Sequence, residues 1–462
     1  MDYKKLGLRI GLEIHKQIES HKLFCSCPSE LVEGEPDLEV KRKLRSVVSE
    51  TGKKDEVAGF EMSKSKYGVY QFFKNSCCLV ELDEEPCHEI NKDALRVALT
   101  VSKMMNCEFV DELLIMRKQV LDFSNTSSFQ RTGLIGFNGY LKTKNGKVKI
   151  ETVCIEEDAA RKVKDAKDYI VYRLDRLGIP LMEIVTAPDM NTPEQAKEVA
   201  GQIGMILKST GRVKNGLGTI RQDVNVSIKG HPRVEIKGVQ KLQDIPKLIE
   251  NEVKRQIKNK NGKSEVRKVN SDLTTSYMRP MPGAARMYVE TDVPNVRIKP
   301  LLKGLGKVEL ISDKTKKLEE KGISFELARE LVKNGINIED YNYKDLNFVA
   351  RVLIEMPKEI EKRFELKSKL KETDFDEVLE KYFGNEISKE AVFEILVEKV
   401  KGNKVNYSKY QVVSGDDLEK EIKEIIKKHK DAPINALMGI VMGKYRGKVD
   451  GKKVMEILKK NV

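Results

Sequence analysis

The chain puts one of its five histidines two residues after a glutamate, in the run LGLRIGLEIHKQIE. Leu8, Ile10, Leu12 and Ile14 alternate with Arg9, Glu13 and His15, the period of a strand with one apolar and one polar face. Taken alone, this is either a half-buried strand with a solvated face or a strand that aims Glu13 and His15 into a site. Four other segments repeat the pattern. In TIRQDVNVSIK, Arg221, Asp223 and Asn225 oppose Val224, Val226 and Ile228, with Gln222 out of pattern; in RVEIKG, Glu235 and Lys237 oppose Val234 and Ile236. Glu183 lies between apolar neighbours in PLMEIVTAPD, and Glu156, Glu157 and Asp158 form an acidic run in VCIEEDAARK. Carboxylates interleaved with apolar residues, alongside Arg, Asn, Ser and His, suit an antiparallel sheet lining a polar cleft. The chemistry that fits is a hard divalent cation holding phosphate oxygens, Mg²⁺ first, with Arg221 and Lys237 neutralising a transferring phosphoryl group. An imidazole ligand suits Mn²⁺ or Zn²⁺ at least as well.

Several other chemistries are excluded. The chain has no GxxxxGK[ST] loop, strand-linked GxGxxG, HExxH or GxSxG elbow, so ATP would be bound without a P-loop. No nucleophile arrangement suited to releasing ammonia from an amide is visible. The loop LDFSNTSSFQRTG gathers hydroxyls before Arg131 and is either an anion-binding turn or a plain polar one. Ser127 and Arg131 from this loop, with Glu235, are the expected nucleotide contacts. Cys25 and Cys27, with Cys78 and Cys87, form a candidate Zn²⁺ set, although CxC is tighter than usual spacing; the alternative is buried, reduced thiols.

The elements that must position these groups change character along the chain. Up to about residue 300 it is strand-rich, with GYLKTKNGKVKIETVC as a hairpin whose Asn145-Gly146 suits a type I′ turn. NTPEQAKEVAGQIGMILKSTG predicts a helix capped by Thr192, with Pro193 at its first position, Gln195 closing a capping box and Gly211 ending it. Beyond about 313 the period becomes 3.6, in SFELARELVKNG, YKDLNFVARVLIEM, DFDEVLEKYFG and SKEAVFEILVEKVKG. The expected class is α+β: an antiparallel-sheet cradle over 1–300, a helical domain over 301–400 and a small helical tail over 401–462.

At 462 residues, two or three domains are the natural division. Seven scattered cysteines do not form a disulfide framework, and the apolar runs fall short of a membrane span, so a cytoplasmic protein without a membrane anchor is expected. The net charge of +13 is uneven: residues 401–462 hold 15 Lys and Arg against 8 Asp and Glu. Such a surplus suits nucleic acid, or is a solvated lysine-rich surface.

Together, GLEIHKQI, LFCSCPSEL, CLVELDEEP, SNTSSFQRTG, IEEDAARK, YRLDRLGIPLMEIVTAPD, GLGTIRQDVNVSI, VEIKGVQKL and RPMPGAARMYVETDVP resemble, in order, the archaeal E-type branch of the glutamyl-tRNA(Gln) amidotransferase B/E family. The resemblance runs from about residue 3 to the end and is strongest to residue 300. It implies an ATP- and Mg²⁺-dependent ligase that phosphorylates the side-chain carboxylate of glutamate misacylated onto tRNA(Gln), then lets ammonia displace the phosphate. It also implies an asparaginase-like D-type partner supplying that ammonia, a heterotetramer, and tRNA contacts through the helical and tail domains. Matched by motif, His15, Glu157 and Glu183 would ligate Mg²⁺, with Glu13, Asp223 and Lys237 lining the same cavity. The family usually carries an aspartyl-tRNA-synthetase-like insertion after VEIKGVQKL, and IKNKNGKSEVRKVNSDL crosses that point without it. A tRNA-binding scaffold without catalysis and a metal-dependent nuclease are the alternatives.

Overall fold

The computed structural model describes residues 1–43, 63, 66–120, 122–216, 218–259, 262–281, 287–306, 308–365, 370–410, 415–429, 432–445 and 451–461. The centre of the PMPGAAR stretch and residues 446–450 of the tail therefore lie outside the described residues. Two compact units result, Met1–Leu310 and Ile311–Val462.

In the first unit the strands are β1 (Arg9–Gln17), β2 (Leu38–Lys43), β3 (Tyr67–Phe72), β4 (Glu108–Phe109), β5 (Glu112–Leu113), β6 (Ile115–Gln119), β7 (Phe129–Thr143), β8 (Gly146–Glu157), β9 (Arg161–Asp165), β10 (Tyr169–Arg173), β11 (Pro180–Thr186), β12 (Ile220–Ser227), β13 (Val234–Val239), β14 (Glu265–Val269), β15 (Thr275–Pro280), β16 (Met287–Val289) and β17 (Val296–Arg297). Three helices, α1 (Lys92–Met104), α2 (Pro193–Ser209) and α3 (Ile245–Lys258), cover one face of the large sheet. That sheet runs β15-β14-β13-β12-β1-β11-β8-β7-β6-β16, with β4 beside β7. It is antiparallel except at β13–β14, and a second sheet, β2-β3-β10-β9, is parallel at β3–β10, so the unit is mixed rather than purely antiparallel.

Chain length forces the large sheet to curl. Laid flat, its nine inter-strand steps of ~4.8 Å would separate β15 from β16 by ~43 Å. From Pro280 to Met287, seven residues on, the backbone can reach only ~25 Å. The edges must therefore curve toward each other, which makes a cradle with one face packed on helices and the other open. Ile10, Leu12, Ile14, Val224, Val226, Ile236 and Ile184 fill the packed face with Leu95, Leu99, Val199, Ile203 and Ile249 of the helices.

Local sequence sets the ends of α2: the Thr192 hydroxyl accepts from Gln195 N (3.2 Å), Pro193 opens the helix, and Gly211 takes φ +65°. The Gln195 side chain, however, accepts from Asn191 N (3.2 Å) rather than closing a box on Thr192 N. The β7–β8 hairpin forms, but not through a type I′ turn. Lys144 and Asn145 are the loop residues and only Gly146 has positive φ (+112°), because Thr143 pairs with Gly146 and its hydroxyl holds Asn145 N and Gly146 O.

The second unit contains helices throughout, from Ile311–Glu320 to Gly451–Asn461. Ser388 caps Ala391 N and Asp345 caps Phe348 N, the serine and aspartate starts that the sequence suggests. Two apolar clusters form within it, one around Leu331, Phe348, Ile360 and Ile395, the other around Ile422, Leu437, Val454 and Leu458. Among the described residues, no helix is long and apolar enough to cross a membrane.

Candidate active site

Strand register brings distant residues onto the open face of the cradle. His15 on β1 is paired with Glu183 on β11 and with Arg221 on β12, and Glu13 is paired with Asp223. Glu156 arrives from β8 opposite Leu181. The His15 Nε2 atom stands 3.5 Å from Glu13 Oε1, 3.5 Å from Glu156 Oε1 and 3.9 Å from Glu183 Oε2. Ligand atoms of His15, Glu156 and Glu183 all lie within 4.8 Å of one another, and those of Glu13, His15 and Asp223 form an adjoining group.

Glu157 does not join them. On a pleated strand successive side chains leave by opposite faces, so when Glu156 enters the cradle Glu157 must leave from the other side. There Glu157 accepts from Arg131 N (3.0 Å), Arg131 Nη1 (3.3 Å) and Asn125 Nδ2 (3.4 Å). Of the expected set, His15 and Glu183 meet and Glu157 does not; Glu156 stands with them in its place. Asp158, next in the run, receives Gln17 Nε2 (2.7 Å) and Arg221 Nη2 (2.7 Å). Arg221 is thus held at the edge of the cluster by a buried carboxylate.

Two lysines supply positive charge. Lys237 bridges Asp223 (2.7 Å) and Glu235 (2.6 Å). Lys118 on β6, to which no motif in the sequence points, lies 3.6 Å from Glu183 and 3.9 Å from Glu156. Burial drives the His15 imidazole down to about 4, so it is neutral with a lone pair to offer. Burial, then the Glu183 charge, raises Glu13 to about 7, and the same two causes push Glu156 well above the carboxylate range. Although burial opposes it, the Lys118 charge holds Glu183 below its ordinary value. Cys154, paired with Glu183, is pushed up to about 12, first by burial and then by that carboxylate.

The expected nucleotide contacts are not gathered in one place. Glu235 faces the cradle beside Lys237, whereas Arg131 and Ser127 line a hollow of about 460 Å³ with Arg117, Phe129 and Asp292. The same alternation is responsible: Thr132 pairs with Glu156, so Arg131 faces away from the cluster. Arg131 Nε and Arg117 Nη2 both clasp the buried Glu290, at 2.9 and 2.5 Å. Against its burial, those guanidinium hydrogen bonds hold Glu290 down at about 2.

Of the four candidate zinc ligands, Cys25, Cys27 and Cys78 converge and Cys87 does not. Glu81 takes the fourth corner: the turn ending at Asp83 (φ +57°) folds it back to accept from Cys25 Sγ (3.0 Å) and Cys78 N (2.7 Å). Cys87 instead neighbours Glu290 and Asp292.

Residues 8–303 match the family described as the GatB/GatE catalytic domain, and residues 309–462 match the GatB domain that follows it. The glutamyl-tRNA(Gln) amidotransferase E-type subunit of Archaeoglobus fulgidus is 36% identical over all of this chain and 98% of its own length. That of Methanocaldococcus jannaschii is 34% identical over all of this chain and 99% of its own. The corresponding protein of Methanococcus vannielii is 52% identical over 57% of this chain and 42% of its own. The Archaeoglobus alignment extends over 606 positions against 462 residues here, so that relative contains sequence this chain lacks. α3 ends at Lys258 and β14 begins at Glu265, the point at which the family's insertion is expected. The chain belongs to the GatB/GatE family, among the E-type members of these tRNA-dependent amidotransferase ligases.

Proposed function

We propose that the cradle phosphorylates the side-chain carboxylate of glutamate carried on tRNA(Gln), using ATP, and then admits ammonia to displace the phosphate. The observation that carries this reading is the meeting of His15, Glu156 and Glu183, from three strands, around one gap. At 3.5 and 3.9 Å, His15 Nε2 makes no good hydrogen bond to the Glu156 or Glu183 carboxyl. Ligands 2.0–2.1 Å from an octahedral ion stand ~2.9 Å (adjacent) or ~4.1 Å (opposite) apart, and the 3.5 and 3.9 Å found here lie within ~0.6 Å of one or the other. Among the described residues, Glu156 Oε2 is buried without a hydrogen-bond partner, as a group awaiting another occupant would be. These residues fit Mg²⁺, which when bound would polarise phosphate oxygens.

The chain's own groups perform the rest. The cleft must hold a carboxylate and a triphosphate together, and Lys118, Lys237 and Arg221 offset that repulsion from three sides. Asp158 and Asp223 fix the direction of Arg221 and Lys237 so that neither reorganises as charge develops. An acyl phosphate must be kept from water, and the cradle's curvature serves that end.

An asparaginase-like D-type partner is the proposed ammonia source, in a cytoplasmic heterotetramer. Residues 301–400 and the basic 401–462 are proposed as separate domains that grip the tRNA. Cys25, Cys27, Cys78 and Glu81 offer the thiolate-rich tetrad of a structural Zn²⁺ site. Metal analysis of the purified chain should give about one zinc per molecule, lost in Cys27→Ser; a zinc-free, fully folded protein would refute that assignment. The catalytic reading is tested by ATP-dependent glutamine formation on Glu-tRNA(Gln) with ammonium supplied. Glutamine formed without ATP, or tRNA bound and never converted, would overturn it, the second outcome favouring the scaffold.

A further inference from the structure

Among the described residues, the small sheet has one face in a core and one face open. Tyr70, Phe72, Ile170 and Tyr172 pack inward with Phe73, Phe123 and Leu174. The alternate residues surround a hollow of about 770 Å³, among them Lys41, Tyr67, Lys164 and Tyr169. Tyr67 and Tyr169 are register partners on parallel strands, and their rings stack with centroids 5.7 Å apart at 25°. Lys41 and Lys164 stand over these rings, at 6.0 and 5.1 Å from the centroids.

The face is polarised. At its far end Arg161 and Arg173 are committed to the carbonyls of Val32 and Gly34 and to Asp175, and Glu33, Glu35 and Glu39 gather there. At the tyrosine end the carboxylate of Asp165 is shared by Lys66 and Lys162, which, among the described residues, leaves Lys41 and Lys164 paired only with Tyr67 and with Tyr169, whose hydroxyl Lys164 also reaches. Stacked aromatic rings on a four-stranded sheet, flanked by cations, are what unstacked bases and their phosphates require. A peptide added to an edge strand would use backbone groups instead and would gain nothing from the rings.

The position supplies the occupant. β9 starts four residues after Glu157, and Lys164 lies seven residues after it, so the tyrosine end is within ~25 Å of the end of β8 that bears Glu156. A substrate whose 3′-terminal nucleotide carries the reacting glutamate must bring its preceding unpaired nucleotides past this region. We propose that the open face of the β2-β3-β10-β9 sheet binds the single-stranded 3′ end of the tRNA, bases taking the outer faces of the Tyr67–Tyr169 pair in place of Lys41 and Lys164, whose flexible stems turn their ammonium groups to the phosphates. This inference rests on the transamidation reading for its choice of RNA, not for its chemistry.

The test uses the full chain and two tRNA(Gln) transcripts, one intact and one lacking the unpaired 3′ nucleotides. In Tyr67→Leu/Tyr169→Leu the affinity for the intact transcript should fall about tenfold, while that for the shortened transcript stays unchanged. Lys41→Glu/Lys164→Glu, on exposed side chains that no fold depends on, should reproduce the contrast with a shallower salt dependence. In turnover the KM for tRNA should rise while kcat is retained. Equal affinities of wild type and both variants for intact tRNA would overturn the proposal, as would equal losses for the two transcripts or a loss confined to binding of the ammonia-supplying partner. The binding contrast is read without turnover, so a failure to form glutamine would count against the transamidation reading alone.

Discussion

Glu156, Glu157 and Asp158 are consecutive, and each serves a different cation: Glu156 the lysine in the cradle, Glu157 the guanidinium behind it, Asp158 the arginine at its edge. Glu156→Gln removes a ligand and should lower ATP-dependent glutamine formation by about 100-fold or more, with Mn²⁺ binding lost in a spin-resonance titration. Glu157→Gln should keep Mn²⁺ binding and lose stability instead, by about 1–3 kcal/mol in urea, since it weakens the partner of a buried arginine. The reverse pattern would restore Glu157 to the metal. Glu290 gives a pH signature. Its carboxyl is depressed to about 2, so its stabilising share is complete above the ordinary carboxylate range and fades as pH falls from about 4 toward 2. That share is about 3 kcal/mol at neutral pH. Urea midpoints of wild type and Glu290→Gln should differ at pH 7 and converge below pH 4; a constant gap would deny the Arg117–Glu290–Arg131 clasp its role.

At the scale of elements, alternation is legible in β1, β12 and β13 because each has an apolar face long enough to declare itself, and the cap of α2 is legible because Thr192, Pro193 and Gln195 act within one turn. What the local sequence withholds is set across strands. Which of two adjacent glutamates enters the cradle depends on the pairing of β8 with β11 and β7, and Lys118 lies on a five-residue strand, IMRKQ, too short to show a period. The turn of the β7–β8 hairpin departs from expectation by one position for a similar reason: the Thr143 hydroxyl fixes the loop one residue earlier. β7 also crosses the end of α1 closely. A Cβ at Gly139 would meet Met105 O at 2.7 Å and Cys107 Sγ at 2.5 Å. Gly139→Ala should therefore cost about 1–3 kcal/mol, seen as a lowered thermal midpoint. Gly201→Ala, on α2 with open space around it, should be neutral or slightly stabilising in the same measurement.

At the scale of the molecule, the candidate ligands and all their counter-ions lie within Met1–Leu310, whose apolar core extends only to residue 310, while Ile311–Val462 has clusters of its own. Positive charge is densest elsewhere: residues 401–462 hold a surplus of seven in 62 residues, against a surplus of ten spread over residues 1–310. Chemistry and electrostatic grip on the substrate should therefore separate when the chain is shortened. A chain ending at Leu310 should fold, bind Mn²⁺ as the full chain does, and lose it with Glu156→Gln. Its affinity for tRNA should be weaker and less sensitive to salt, because each phosphate contact removed takes close to one unit from the slope of log affinity against log salt. Filter binding across about 50–300 mM salt reads both quantities. A shortened chain with the full slope would deny the tail any phosphate contacts, and one that no longer binds Mn²⁺ would show that the cluster depends on residues beyond 310.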